Sequence, residues 1–255
     1  MLMLDYLLDF FVFFFGTCFG SFLTMLSYRI FHQGEDFIFK RSYCPKCLNQ
    51  LKNISLIPIF SWLFQGGKCT FCKSKISIRY PLIELINGLA FLTVFKLNNS
   101  VIDFITIYFW LFATFLLLVS IVDIEHLCIP NEFQYVFCGF AFVYIFYTRS
   151  SIFYHIFSGI VYYMMITVIS KLTSNLINKE SIGSADIPLI SISGMFLGIK
   201  YLHIFLLFCG ISGLFFGMIY NFINKRNGIN KSKFPFAPSI IISFIITFYI
   251  LLINL

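Results

Sequence analysis

Charge is scarce in this sequence. Asp, Glu, Lys and Arg make up only 11% of its 255 residues, where a soluble domain carries about a quarter. That shortage excludes an ordinary soluble domain. The chain also lacks internal repeats, and its only compositional bias is towards Phe, Ile and Asn. No glycine-rich nucleotide motif occurs, so the residues alone mark no nucleotide site. There is no Gly-x-Ser-x-Gly elbow and no His-Glu-x-x-His pair, which sets aside two common hydrolytic chemistries. What fills the space is apolar: 59% of residues are hydrophobic, 36 are Phe and 14 are Tyr.

The apolar residues fall into long runs divided by short polar stretches, the pattern of helices that cross about 30 Å of hydrocarbon. Eight spans are predicted, at 4–26, 81–97, 101–122, 129–147, 151–170, 187–199, 201–223 and 236–254. The second and sixth are short for a crossing. The first is too long and aromatic for a cleavable signal, and no small-residue cleavage site follows it, so it reads as a retained span. The expected fold is an all-α polytopic membrane protein. Its parts are a first transmembrane helix (1–26), a loop (27–80) and a transmembrane core (81–255). The aromatic residues suit lipid-facing and interfacial positions, and the expected surroundings are a lipid bilayer with no nucleic-acid partner.

Although charge is scarce, its placement is informative. When the loops are assigned alternately to two sides, one side collects 27–80, 123–128, 171–186 and 224–235, with 15 of the 18 Lys and Arg residues. The other holds only Lys96, Arg149 and Lys200. An excess of basic residues marks the cytoplasmic side, so the N-terminus is expected outside and the 27–80 loop in the cytosol. If 187–199 were re-entrant, the cluster at 224–235 would move outside and the asymmetry would weaken.

Four of the eight cysteines form a pattern, Cys44-Pro-Lys-Cys47 and, 21 residues later, Cys69-Thr-Phe-Cys72. Paired C-x2-C knuckles at this separation resemble a zinc ribbon, with four thiolates closing a tetrahedral and therefore structural zinc site. Gly66-Gly67 suits a tight turn before the second knuckle. A thiol oxidase is the competing reading, but that chemistry belongs on the oxidising side of a membrane. Cys18, Cys128, Cys138 and Cys209 read as ordinary small apolar residues.

Carboxylates in membrane segments are costly and so are functional candidates. Asp5, Asp9, Asp103, Glu35, Asp36, Glu132 and Glu180 read as interfacial or solvated. Glu84, Asp123, Glu125 and Asp186 remain, all on the cytosolic side of this topology. Two carboxylates from different helices at one depth can share a proton and activate water. Asp186 opens a helix in Gly183-Ser-Ala-Asp-Ile-Pro188 and is expected as the base acting on water. Asp123 closes one and is expected as its protonated partner. On residue types alone, an acid pair and two interfacial helix caps stay equally open.

Taken together, these motifs resemble the type IV prepilin peptidases, bifunctional leader peptidase/N-methyltransferases of bacterial membranes. The resemblance runs through Gly20-Ser-Phe-Leu-Thr-Met-Leu-Ser-Tyr-Arg29, the first knuckle, Ile57-Pro-Ile-Phe-Ser-Trp-Leu63, Gly-Gly-Lys-Cys69 and Ile76-Ser-Ile-Arg-Tyr-Pro-Leu-Ile-Glu84. Asp123, leading to Ile129-Pro130-Asn131, matches the family's first catalytic aspartate. Asp186, in Gly183-Ser-Ala-Asp, matches the aspartate of its Gly-x-Gly-Asp motif. Ala185 stands where the motif has its second glycine, which matters if that position needs positive φ or close helix approach. Pro188 replaces a common lysine, and Asn131 replaces an aspartate.

The resemblance implies an aspartic endopeptidase of the bacterial inner membrane that removes the leader of type IV pilin-like precursors at the cytosolic face. Such enzymes serve pilus assembly, type II secretion or competence. It also implies N-methylation of the new N-terminus with S-adenosylmethionine. Glu125 is the alternative to Asp123 as partner of Asp186 in the acid pair. The rival classes are an ion-coupled transporter and a non-catalytic pilus or secretion assembly protein.

Overall fold

The computed structural model describes residues 2–32, 41–178, 182–226 and 234–253. Glu35, Asp36, Lys40, Lys179, Glu180, Lys231 and Lys233 lie outside these residues. Among the described residues the regular structure is helical, apart from two isolated β-bridges in the cysteine loop. The chain falls into two compact units, Met1–Leu118 and Val119–Leu255.

In the first unit, α1 (Leu2–His32) and α3 (Arg79–Leu97) flank the cysteine loop, which contains the short helix α2 (Phe60–Phe64). Glycine lets α1 and α3 approach backbone to backbone: a Cβ on Gly20 would lie 2.7 Å from the Glu84 Cα. Small residues at such a contact are the usual device for close helix pairs in lipid. Asn87 Nδ2 donates to the Gly16 carbonyl at 2.8 Å within this buried seam. Lys96 pairs with Asp9 at 2.6 Å at the far end. The helix α4 (Phe104–His126) begins in this unit with its Trp110 ring stacked on Phe91 at 4.9 Å. Asp103 caps α4 by accepting the Thr106 N–H at 2.9 Å, which starts the helix a turn later than its apolar run.

The second unit holds the end of α4, then α5 (Asn131–Tyr147), α6 (Ile152–Ile177), α7 (Asp186–Leu197), α8 (Leu202–Arg226) and α9 (Ala237–Ile253). Its centre is α7, whose Phe196 is fully buried with its ring against Phe137, Tyr144, Phe244 and Phe248. Gly194 sits beneath the Tyr162 ring, where a Cβ has no room. By contrast, α8 exposes Leu207, Leu214, Phe215 and Met218, a surface suited to lipid.

Each predicted span meets a helix, but five helices (α1, α3, α4, α6 and α8) are long and apolar enough to cross a membrane by themselves. The helices α5, α7 and α9 have 17, 12 and 17 residues. At 1.5 Å per residue α7 reaches about 18 Å. Gly198, at φ 74°, ends it, and a 3-10 turn leads directly into α8.

Candidate active site and metal centre

The two cysteine knuckles have one local design. Cys44 N–H donates to Asn49 O and Leu48 N–H to Cys44 O, while Cys69 N–H donates to Ser74 O and Lys73 N–H to Cys69 O. Residues flanking each knuckle bridge in antiparallel fashion, Tyr43 with Gln50 and Lys68 with Lys75. The residue after each second cysteine takes the left-handed conformation, Leu48 at φ 59° and Lys73 at φ 58°. Gly66 and Gly67 also have positive φ and turn the chain out of α2.

This geometry brings Cys44, Cys47, Cys69 and Cys72 together, with all four Sγ atoms within 4.8 Å of one another. Cys44 Sγ and Cys72 Sγ are 3.9 Å apart. Sulfurs about 2.3 Å from a tetrahedral ion are roughly 3.8 Å apart, so the set fits a metal ion. The Cys47 N–H holds the Cys44 thiol below its ordinary range, and the Ser74 hydroxyl brings the Cys72 thiol down to about 6. Both shifts favour the thiolate that a metal requires, whereas desolvation and the neighbouring Cys44 and Cys72 thiols push Cys47 the other way, up to about 11. Of the other cysteines, Cys209 is buried, Cys138 is half-buried, and Cys18 and Cys128 are exposed.

The acidic site lies in the second unit, where three helix ends meet. Asp123 stands one turn before the end of α4, Asp186 is the first residue of α7, and Ala237 is the first of α9. Both carboxylates are buried, and they are close enough to interact electrostatically. Asp123 Oδ2 accepts the Ala237 N–H at 2.8 Å. The expected division of roles rested on helix ends, with Asp123 closing one helix and Asp186 opening another. Asp123 is held at the start of α9 just as Asp186 is held at the start of α7, so the dipole argument applies to both.

The motif around Asp186 explains its own tolerances. Ala185 lies at φ −78° and ψ −21°, an ordinary right-handed conformation. The missing second glycine therefore carries no backbone strain. Gly183 is the demanding position: a Cβ there would lie 2.8 Å from Asp186 Oδ2. Pro188 falls in the first turn of α7, where its missing N–H is not needed. Asn131, the first residue of α5, is exposed.

The remaining candidates separate. Glu125 Oε2 lies 3.7 Å from the neighbouring His126 Nε2. Glu84 belongs to the other unit, where it accepts the Ile59 N–H at 2.6 Å. Glu132 is exposed in the first turn of α5, as an interfacial residue should be. Sequence reasoning missed Ala237, the backbone donor to Asp123. Its signal is Phe234-Pro-Phe-Ala-Pro238, where proline one residue past a helix start is a recognisable opening.

Comparison with known proteins places this arrangement. Residues 14–97 match the family described as Bacterial Peptidase A24 N-terminal domain, and residues 110–220 match the Type IV leader peptidase family. The chain is similar to a prepilin leader peptidase/N-methyltransferase of Bacillus subtilis, 30% identical over 232 residues that cover 90% of this chain and 89% of the relative. It is 28% identical to the protein of that name from Vibrio cholerae, with 90% of this chain and 92% of the relative covered. The type 4 prepilin-like proteins leader peptide-processing enzyme of Escherichia coli is 27% identical, with 92% and 91% covered. No solved structure matches. Since both family regions are present in order and the Bacillus relative aligns over nearly its whole length, the chain belongs to the type IV leader peptidase family.

Proposed function

We infer that this protein is a prepilin leader peptidase/N-methyltransferase, an aspartic endopeptidase of the membrane that cleaves the leader of type IV pilin-like precursors. The observation that carries this reading is the meeting of Asp123 and Asp186, 63 residues apart in sequence, as a buried, electrostatically coupled pair at three helix ends. One carboxylate takes a proton from water while the other donates to the scissile carbonyl oxygen. The hydroxide so formed attacks the carbonyl carbon, and the leaving amine takes up a proton as the C–N bond breaks. The Ala237 N–H fixes the Asp123 carboxylate in place for that exchange.

The zinc reading rests on the four thiols: Cys44, Cys47, Cys69 and Cys72 hold a structural ion that leaves no position open for substrate. The basic asymmetry of the loops supports an N-terminus outside, and with it a cytosolic position for the cysteine loop and for the acidic pair at the bacterial inner membrane. There a precursor's apolar helix in the bilayer presents its junction with a basic leader. S-adenosylmethionine, when bound, would supply the methyl group for the new N-terminal amine.

Neither rival class is favoured. A transporter relay calls for carboxylates near the bilayer midplane, whereas Asp123 and Asp186 stand at helix ends. The non-catalytic reading drew on Ala185, whose ordinary backbone removes that objection. The test is cleavage of a pilin-like precursor by membranes containing wild type, Asp123→Asn or Asp186→Asn. Each variant is expected to lose at least about 100-fold in rate. Unchanged cleavage by either one overturns the assignment.

A further inference from the structure

A helix leaves its first N–H groups without partners inside the helix. At the start of α9 the sequence Phe234-Pro-Phe-Ala-Pro238 thins that set further, because the prolines at 235 and 238 have no N–H. Phe236 O accepts the N–H groups of Ser239 and Ile240 at 3.0 and 3.2 Å, so Phe236 is the residue that caps the helix start. The N–H groups of Phe236 and Ala237 both turn to Asp123. That of Ala237 is 2.8 Å from Oδ2, and that of Phe236 reaches the same carboxylate. The place of this short stretch of backbone sets the place of the carboxylate.

What holds the stretch is α8, through small residues. Gly213 lies under the Phe236 ring, where a Cβ would be 2.8 Å from Cε2. One turn on, a Cβ at Gly217 would be 3.8 Å from the Phe234 ring. The two rings meet edge to face at 6.0 Å, and Pro235 between them is buried. Just inside α9, Ser212 Oγ lies 3.1 Å from Ser239 O and 3.0 Å from Ser243 Oγ. Ser239 and Ser243 are fully buried, and a buried polar group is costly to leave without its partner. A ring on a glycine before the helix start and hydroxyl bonds after it thus bracket Phe236 and Ala237.

We propose that Phe236 is a positioning residue for the acid pair: its ring, seated on Gly213, fixes the two backbone N–H groups that orient the Asp123 carboxylate. The proposal rests on the reading of Asp123 and Asp186 as the catalytic carboxylates. Ring and donor belong to one residue, so a shift of the ring carries the donor with it. A reacting group needs its supporting shell locked by packing, and a misplacement of about 1 Å can cost about 100-fold in rate. Loss of the seat removes an arrangement needed for the chemical step and leaves the surface that holds the precursor's apolar helix intact. Its effect belongs in kcat, with KM preserved. A ring that serves packing alone lowers stability and leaves kcat unchanged.

The experiment follows cleavage of a pilin-like precursor by the full-length protein in detergent, with rates referred to the fraction that unfolds cooperatively on heating. Wild type and Asp123→Asn are measured first. Absence of wild-type cleavage, or cleavage that survives Asp123→Asn, overturns the catalytic reading beneath this inference. Phe236→Ala is then expected to lower kcat at least about tenfold with KM within about twofold of wild type. Phe236→Tyr, which keeps the ring, is expected to hold kcat within about threefold of wild type. Gly213→Ala puts a methyl group where the ring sits and should also lower kcat. In the Phe236→Ala background it should add less than about twofold, because no ring remains to displace. With Asp123 shown to be essential, a Phe236→Ala enzyme with wild-type kcat overturns the positioning role alone. So does a Phe236→Tyr enzyme as slow as Phe236→Ala, or a Gly213→Ala effect of equal size with and without the ring. Gly213→Ala with wild-type kcat overturns it even if Phe236→Ala does not fold.

Discussion

At Gly183 a missing side chain matters more than most side chains present. A methyl group there meets Asp186 Oδ2 at 2.8 Å, and the atom that must yield belongs to the carboxylate proposed above to be catalytic. Gly183→Ala should therefore cost cleavage rather than folding. A fall of about 100-fold is expected, the scale of misplacing a reacting group by about 1 Å. The melting temperature should stay near wild type. Ala185→Gly is the matching control: with φ at −78° nothing is strained, so restoring the family glycine should leave the cleavage rate within about twofold, the added chain flexibility being small. Rates and melting curves for the two variants check both statements, and a large gain from Ala185→Gly would contradict the second. The acidic pair was legible in the sequence because carboxylates in apolar runs stand out. Which of the motif's two small residues is strictly required was not, because that depends on where the Asp186 side chain folds back.

At the scale of elements, the cysteine loop was the most legible part. Its spacing alone fixes four ligands on two like turns, and the left-handed residues Leu48 and Lys73 complete each turn without glycine. Among its described residues the loop contains the short helix α2, a 3-10 turn and two isolated bridges, so metal coordination is proposed as its main source of order. A zinc chelator, or Cys44→Ser, should remove a single bound zinc per chain and make residues 41–78 sensitive to protease while the helices stay folded. Metal analysis and limited proteolysis check this, and an unchanged digestion pattern after metal loss would refute a structural role. Acid should release the ion too, because protons compete for the thiolates. Less legible was the start of α9, whose N–H reaches Asp123 from 114 residues away in sequence. No local pattern reports such a contact.

For the molecule as a whole, the open choice is how α7 relates to the bilayer. Twelve residues reach about 18 Å and hydrocarbon is about 30 Å thick, so length alone argues against a crossing. Burial argues the other way. Leu189, Ile190, Ser193, Phe196 and Leu197 are all within the protein, and a helix sheathed by its neighbours does not have to match lipid thickness at both ends. The charge pattern adds weight to a crossing. With eight crossings, 15 of 18 basic residues share one side; without α7, the four at 224–235 change sides. A biotin-acceptor peptide inserted in the intact chain, with a ligase confined to the cytosol, reads each loop. Tags within 41–56 and 227–233 are expected to be biotinylated, and tags at 98–102 and 148–151 to be protected. Protection at 227–233 together with biotinylation at 41–56 would show that α7 and α8 cross only once between them. In that case the asymmetry that orients the chain rests on the cysteine loop alone.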